Sequence, residues 1–252
     1  MIFYDTQIIS FAFNNGRDYV VTGGYIPSIV ANEFLLVYKK GEASSANYYL
    51  PNMLNKHSKI GVIPLSNLSM KKLAYRKKNT DRIVLDFGND FDKYIEFGSY
   101  SMTKVINEKN NEVFNQAIKH LPKDRQKLLK GKFKFLIDNN IKCIALNTSI
   151  LDIAFEFIYE FTKKHNFKKD KRNSINDLLI LSSAIENKAK LVSDDNELNR
   201  FACDMANGTA TKNGDFVNYD FSCVKKVKKI NSKESKGYVN KGWQFKILNR
   251  NT

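Results

Sequence analysis

Short apolar runs alternate with amphipathic stretches along this chain, and the alternation predicts an α/β fold. Ile2 to Tyr4 has the pattern of a buried strand, and a helix is expected over Thr6 to Phe13. Pro27 then opens a periodic stretch that predicts a second helix ending near Lys39 to Gly41. The first strand ends on Asp5, which we expect at the carboxyl edge of a sheet.

The second half of the chain shows the same alternation. A strand over residues 143–146 leads into an amphipathic helix from Ser149 to Lys164, and a charged loop is expected over 163–172. A further helix is predicted from Asp177 to Lys188, followed by a strand over residues 189–193. Short strands that alternate with helices favour a parallel central sheet flanked by helices, with sites beyond the carboxyl ends of the strands.

The pattern changes between these halves. Residues 44–140 mix basic runs, short strands and a Lys-rich helical stretch, which indicates a large α+β insertion. We therefore predict one core domain in two parts, 1–43 and 141–215, separated by the insertion at 44–140 and followed by a basic C-terminal extension at 216–252.

Composition excludes several classes of protein. With 42% hydrophobic residues and only 12 Gly and 4 Pro in 252, the chain is neither disordered nor collagen-like. No apolar run reaches the roughly 18 residues of a membrane span, so no membrane partner and a cytoplasmic location are expected. The 3 cysteines lack zinc-knuckle spacing, which disfavours disulfide scaffolds and thiolate metal sites.

The positive net charge of the chain favours a nucleic-acid partner. The net charge is +15, enough to attract polyanions, although 34 of the 41 basic residues are lysines spread along the chain. From residue 219 onward the tail has nine basic residues against two acids, interleaved with aromatic side chains that could stack on bases. The candidate RNA-binding residues are Lys168, Lys169, Lys171, Arg172, Lys225, Lys226, Lys228, Lys229 and Trp243.

Acidic residues supply the candidate chemistry. Asp5 and Asp195 follow predicted strands, and Glu33 and Asp177 lie on predicted helices near those strand ends, so one sheet edge could collect them. Clustered carboxylates repel one another and stay ionised only beside a cation. Hard ions such as Mg²⁺ or Mn²⁺ prefer oxygen ligands and could activate water for attack on a phosphodiester.

Four segments carry a family resemblance in the same order. They are residues 2–6, which end in Asp5-Thr6; residues 26–34, which contain Glu33; residues 176–186, which contain Asp177; and residues 190–195, which end in Ser193-Asp194-Asp195. Together they resemble the PIN-domain nucleases, a family that includes the VapC-type ribonuclease toxins.

The resemblance implies a Mg²⁺- or Mn²⁺-dependent endoribonuclease, a hydrolase that leaves a 5′-phosphate and a 3′-hydroxyl. It assigns Asp5, Glu33, Asp177 and Asp195 as the catalytic, metal-binding acids, with Thr6 and Ser193 in support. Asp194 stays open as an alternative to Asp195, and Glu42 competes with Glu33. Asp5 could also merely cap the helix that follows it.

The chain departs from the family in the spacing of 144 positions from Glu33 to Asp177, which is far longer than in compact toxins. Two alternatives to the ribonuclease therefore stay open: a catalytically inactive nucleic-acid-binding module of the same fold, and a structure-specific DNA nuclease. RNA is the leading partner and DNA the second. A role as a toxin or defence effector would add an inhibitory protein or antitoxin, and apolar residues on the first helices would allow a homodimer.

Overall fold

The structure of the protein, a computed structural model, describes residues 1–15, 21–36, 48–53, 80–87, 92–164, 171–206, 209–213 and 216–220. The strands are β1 (Ile2–Tyr4), β2 (Tyr25–Pro27), β3 (Arg82–Leu85), β4 (Tyr94–Phe97), β5 (Lys142–Ile144), β6 (Lys190–Ser193), β7 (Thr209–Asn213) and β8 (Phe216–Asp220). The helices are α1 (Thr6–Asn15), α2 (Ser28–Phe34), α3 (Ser99–Asn107), α4 (Asn111–Ile118), α5 (Lys123–Asp138), α6 (Thr148–Lys164), α7 (Lys171–Glu186) and α8 (Asn196–Ala206).

A main sheet of strand order β5-β2-β1-β6-β8-β7 forms the centre of the fold. Its first four strands are parallel, with Phe3 beside Leu191 across β1 and β6 and Tyr25 beside Lys142 across β2 and β5. The strands β8 and β7 extend it in antiparallel pairing. The parallel central sheet flanked by helices, predicted from the alternating pattern, is therefore confirmed.

The central strands are short because both of their faces are covered. Phe3, Ile26 and Leu191 are fully buried, as expected for parallel strands between two layers of helices. Gly24 lies against the ring of Tyr4, where an added Cβ would stand only 1.9 Å from a ring carbon. This close approach fixes the end of β1 just before Asp5.

Within the stretch predicted as an insertion, the described residues 48–53, 80–87 and 92–140 add a hairpin and three helices to the fold. Strands β3 and β4 pair as an antiparallel two-stranded sheet of their own. Helices α4 and α5 pack together through the stacked rings of Phe114 and Phe133, whose centroids are 4.1 Å apart. Asp81, just before β3, accepts hydrogen bonds from the first backbone amides of α3 and so ties the hairpin to that helix.

Two predicted helix boundaries are wrong. Helix α2 ends at Phe34 and not near Lys39, because Lys132 Nζ donates to the Phe34 carbonyl at 2.7 Å and Tyr48 donates to the Leu35 carbonyl at 3.2 Å. These side chains satisfy the last free carbonyls and end the helix.

The other error concerns α7, which begins at Lys171 and takes up residues that were predicted as loop. Almost every residue from Ser174 to Ile185 is buried. A helix buried on most of its faces has no clear polar side from which to infer where it begins.

None of the helices in the described ranges is long and apolar enough to span a membrane.

Candidate active site

Asp5 lies directly after β1, and its hydrogen-bond partners come from the neighbouring strand β6 and from the start of α1. Its backbone amide donates to the Val192 carbonyl of β6 at 3.1 Å. The carboxylate, only 3% exposed, accepts from the Thr6 amide at 2.5 Å and from the Ser193 hydroxyl at 2.6 Å. Asp5 also precedes α1, where its backbone carbonyl accepts from the Ile9 amide and its carboxylate from the Thr6 amide, so the structural role foreseen for it is present.

Burial raises the pKa of Asp5 to about 6. The neighbouring carboxylates of Glu33 and Asp195 raise it further, whereas the hydrogen bonds from Ser193 and Thr6 lower it. Within the part of the chain that the structure describes, both direct hydrogen-bond donors to this carboxylate are neutral groups. The negative charge of Asp5 is therefore held without a cation partner among these residues.

Glu33 is connected to Asp5 by a single residue. The Thr6 hydroxyl donates to Glu33 Oε2 at 2.5 Å, while the Thr6 amide bonds Asp5. The other carboxylate oxygen of Glu33 accepts from the Asn176 side-chain amide. The helix α2 therefore presents Glu33 beside the end of β1, as expected from the resemblance.

Asp195 is joined to Asp5 on the opposite side. Its backbone amide donates to the Ser193 hydroxyl at 3.2 Å, and that hydroxyl in turn bonds Asp5. One oxygen of Asp195 caps α8 by accepting from the amides of Glu197 and Leu198, both at 2.9 Å. The adjacent Asp194 is exposed, and the charge of Asp195 is the one that reaches Asp5.

Asp177 lies beside the first turn of α8, the turn that Asp195 caps. It lies in the second turn of α7, half-buried, and lines a small cavity with Glu197 and Leu198 from the start of α8. Neither Asp5 nor Glu33 hydrogen-bonds to it among the described residues. The residue of α7 that reaches Glu33 is the preceding one, the buried Asn176.

A second buried carboxylate adjoins this group. Glu96 of β4 is 2% exposed and pairs with Arg172 at 3.1 Å, and it also accepts from the Asn32 amide and from the Tyr94 hydroxyl. Burial raises the pKa of Glu96 to about 7, against the lowering effect of Arg172, Asn32 and Tyr94. Since Tyr94 also bonds Asn176 at 2.8 Å, Glu96 and Glu33 belong to one hydrogen-bonded network.

The donor atoms suit a hard divalent cation. Over the described residues, no three Asp, Glu, His or Cys side chains converge closely enough to enclose an ion. Mg²⁺, however, usually keeps several waters and is held by one or two carboxylates together with substrate phosphates. Asp5 could supply one such carboxylate, and Glu33 and Asp195, whose charges raise the pKa of Asp5, could bind the ion directly or through its waters.

The predicted RNA-binding residues fall mostly outside the described ranges. This holds for Lys168, Lys169, Lys225, Lys226, Lys228, Lys229 and Trp243. Lys171 is exposed at the first position of α7. Arg172 is half exposed, and its guanidinium pairs with Glu96 and lies 4.8 Å from the centroid of the Tyr94 ring.

The sequence did not single out Asn32, Tyr94, Glu96 or Asn176. One signal for Glu96 was present in β4, because this acid lies between the apolar residues Ile95 and Phe97 of a predicted strand. That alternation, however, would normally place the acid in solvent. Only the packing of β4 against α7 and α2 shows that the face bearing Tyr94 and Glu96 is the buried one.

Comparison with protein families gives a match over part of the chain. The family model described as the PIN domain matches residues 105–203, a stretch that runs from α3 to α8 and includes Asp177, Ser193 and Asp195. No curated protein and no solved structure matches the chain significantly. PIN domains are generally nucleases that commonly depend on divalent metals. The matched stretch and the PIN-like α/β fold together support the PIN-domain nuclease family for this chain.

Proposed function

We propose that the protein is a metal-dependent endoribonuclease whose ion lies among Asp5, Glu33 and Asp195, bound directly by one or two of these carboxylates and through water by the rest. The observation that carries the proposal is the Asp5 carboxylate, buried beside two further carboxylates and bonded only by neutral donors among the described residues. Burying such a charge is costly unless a cation compensates it. A nucleic-acid phosphodiester would bring further negative charge and so needs the same compensation.

Each residue has a distinct task in this site. Asp5 and Glu33 supply oxygen ligands and are held in place by the amide and hydroxyl of Thr6. Ser193 orients Asp5, and Asp195 adds a third carboxylate at the start of α8. Mg²⁺ or Mn²⁺ bound there would lower the pKa of a water and neutralise charge on the phosphate under attack.

Asp177 has a supporting role in this proposal. Its position beside Glu197 lets it contribute a carboxylate on the α8 side of the site, where it would bind water of the ion's hydration shell. Asp177→Asn should therefore slow cleavage less than Asp5→Asn does, as measured in the same assay.

RNA is the substrate that the net charge of +15 favours, and DNA is the alternative. Incubation of the protein with labelled RNA and DNA, each with Mn²⁺, with Mg²⁺ or with EDTA, distinguishes the candidates. The proposal expects RNA products with 5′-phosphate ends that form with the ions and disappear with EDTA. Metal-independent RNA binding without cleavage would instead indicate the inactive binding module, and cleavage confined to branched DNA would indicate the DNA nuclease.

A matched pair of variants tests the fourth acid. Asp195→Asn should slow cleavage by about 100-fold, the scale of one electrostatic catalytic group, while Asn still caps α8. Asp194→Asn removes the same charge from the exposed neighbour and should leave the rate unchanged. Equal losses in the two variants would contradict the assignment of Asp195.

A regulatory role as a toxin or defence effector is part of the proposal. An RNA-cutting enzyme of this kind would require an inhibitory partner protein, and co-expression with the product of the adjoining reading frame should suppress its cleavage of cellular RNA. Unchanged cleavage in that co-expression would argue against an antitoxin encoded there.

A further inference from the structure

The β3–β4 hairpin lies outside the main sheet, yet it sends two side chains toward the candidate site. Tyr94 and Glu96 are two residues apart on β4, share its buried face and are 4% and 2% exposed. Tyr94 bonds Asn176, which contacts Glu33. Glu96 bonds Asn32, which precedes Glu33 in the chain. The hairpin therefore has a direct physical connection to Glu33.

Tyr94 sets the orientation of Asn176. The Tyr94 hydroxyl lies 2.8 Å from Asn176 Oδ1 and 3.1 Å from Glu96 Oε2. A hydroxyl donor beside Oδ1 keeps the carbonyl of the side-chain amide on that side and turns its NH₂ group toward Glu33. Without it, Asn176 Oδ1 loses this donor, and the amide is oriented by its bond to Glu33 alone.

Glu96 acts on the same acid from the other side. It accepts a hydrogen bond from the side chain of Asn32, the residue before Glu33 on α2. Asn32 also donates to the Phe97 carbonyl at 3.2 Å, so this turn of α2 is attached to β4 at two points. Arg172 from α7 then compensates the buried Glu96 charge at 3.1 Å.

We propose that Tyr94 and Glu96 are positioning residues for the Glu33 carboxylate, acting through Asn176 and Asn32. The proposal rests on the nuclease function above and gives the β3–β4 hairpin a specific role in it. Hydrogen-bonding partners of metal ligands set the direction of the ligand atoms, and their loss weakens metal binding even though they do not touch the ion.

The variant that tests this role is Tyr94→Phe, which removes one hydroxyl and keeps the ring under Arg172. Mn²⁺ binding to the full chain, measured by calorimetry, should weaken by about tenfold, the lower end of losses for such partners. The kcat for RNA cleavage at fixed, sub-saturating Mn²⁺ should fall by a similar factor, with KM for RNA unchanged. Glu96→Gln should move both quantities in the same direction by a smaller factor.

Tyr100→Phe is the matched control. It removes the same hydroxyl from a ring on α3 that is 38% exposed and that has no hydrogen bond from its hydroxyl among the described residues. Its Mn²⁺ affinity and kcat should equal those of the wild type. A purely structural role for Tyr94 would lower the melting midpoint and the active fraction while leaving the Mn²⁺ dissociation constant of the folded protein unchanged.

Two results separate failure of this inference from failure of the nuclease function. Wild-type Mn²⁺ affinity and kcat in Tyr94→Phe, with both lost in Glu33→Gln, would overturn the positioning role alone. A wild-type protein that neither binds Mn²⁺ nor cuts would overturn the nuclease function. In that case, coupling between Tyr94 and Glu33 can still be measured from the melting midpoints of Tyr94→Phe, Glu33→Gln and the double variant. Additive shifts would mean that the two residues are not coupled.

Discussion

Asp5 and Glu96 are both buried carboxylates with raised pKa values, but they are compensated in different ways. Glu96 pairs with the Arg172 guanidinium and accepts hydrogen bonds from Asn32 and Tyr94. Asp5 receives hydrogen bonds from Thr6 and Ser193, both neutral, and its nearest charged groups among the described residues are further carboxylates. Glu96 therefore has a cationic partner among the described residues, whereas Asp5 has only neutral donors and neighbouring carboxylates.

This difference separates a structural acid from a functional one. An ion pair with several hydrogen bonds keeps a buried carboxylate in place at little net gain in stability. A group of carboxylates without a cation destabilises the fold and persists in proteins chiefly where function requires it. In our proposal Asp5 therefore binds the cation, whereas Glu96 connects β4 to α2 and α7 and acts on the site only through Asn32.

The largest expected effect is the stabilisation of the wild-type protein by a divalent cation. A ligand that binds only the folded state raises the free energy of unfolding by about 2–3 kcal/mol at 100 times its dissociation constant. We expect a rise of this size for Mn²⁺ in urea unfolding experiments and its loss in Asp5→Asn. Glu160→Gln, which removes a carboxylate paired with Lys163 on α6, should keep the full rise.

A second expected effect concerns how much the Asp5 carboxylate destabilises the fold when no metal is bound. In metal-free buffer at pH 8, Asp5→Asn should increase the free energy of unfolding by about 2 kcal/mol, because it removes a buried charge with a strongly raised pKa. Denaturant unfolding of both proteins measures the difference. A less stable Asp5→Asn protein would mean that the carboxylate contributes favourably to the fold.

The pH dependence of this difference has a defined sign. The folded protein holds the Asp5 proton up to about pH 6, whereas the unfolded chain releases it near its ordinary value of 3.8. The contribution of Asp5 to stability therefore falls as the pH rises through this window and stays low above it. The advantage of Asp5→Asn should be absent near pH 4, grow up to about pH 6 and then level off.

The smallest effect is expected at the compensated acid. Arg172→Gln leaves Glu96 buried without its cation and should destabilise the fold by about 1 kcal/mol at pH 8, a modest value because Arg172 is half exposed. The loss should shrink as the pH falls through about 7, where Glu96 takes up a proton. Arg125→Gln, at an exposed pair with Asp124, should change stability by much less and without this pH dependence.

The architecture could be predicted from the sequence because two of the parallel strands, β1 and β6, are apolar runs directly followed by acids. The patterns around Asp5 and Ser193 gave the strand ends correctly. The three-residue strand β2 was missed, since a pattern that short has no measurable period and Pro27 indicated a helix start. The antiparallel strands β7 and β8 were also missed, because they lie in a polar stretch that shows little alternation.

Only part of the candidate site could be predicted from the sequence. Clear sequence patterns mark the strands before Asp5 and Asp195 and the helix that carries Glu33. The structure connects these three acids through hydrogen bonds of Thr6 and Ser193. The side of α7 that faces Glu33 depends on the rotation of a helix buried on most faces, so Asn176 could not be distinguished from Asp177. Partners that are distant in sequence, such as Tyr94 and Glu96, are fixed by tertiary packing alone.

The most direct test of the proposed cation site at Asp5 is the rate of RNA cleavage by Asp5→Asn and wild type over a range of Mn²⁺ concentrations. We predict Mn²⁺-dependent cleavage by the wild type and a rate at least about 1,000-fold lower for a folded Asp5→Asn protein, the upper range for loss of one catalytic electrostatic group. Cleavage by Asp5→Asn at the wild-type rate and with the wild-type Mn²⁺ dependence would contradict the account.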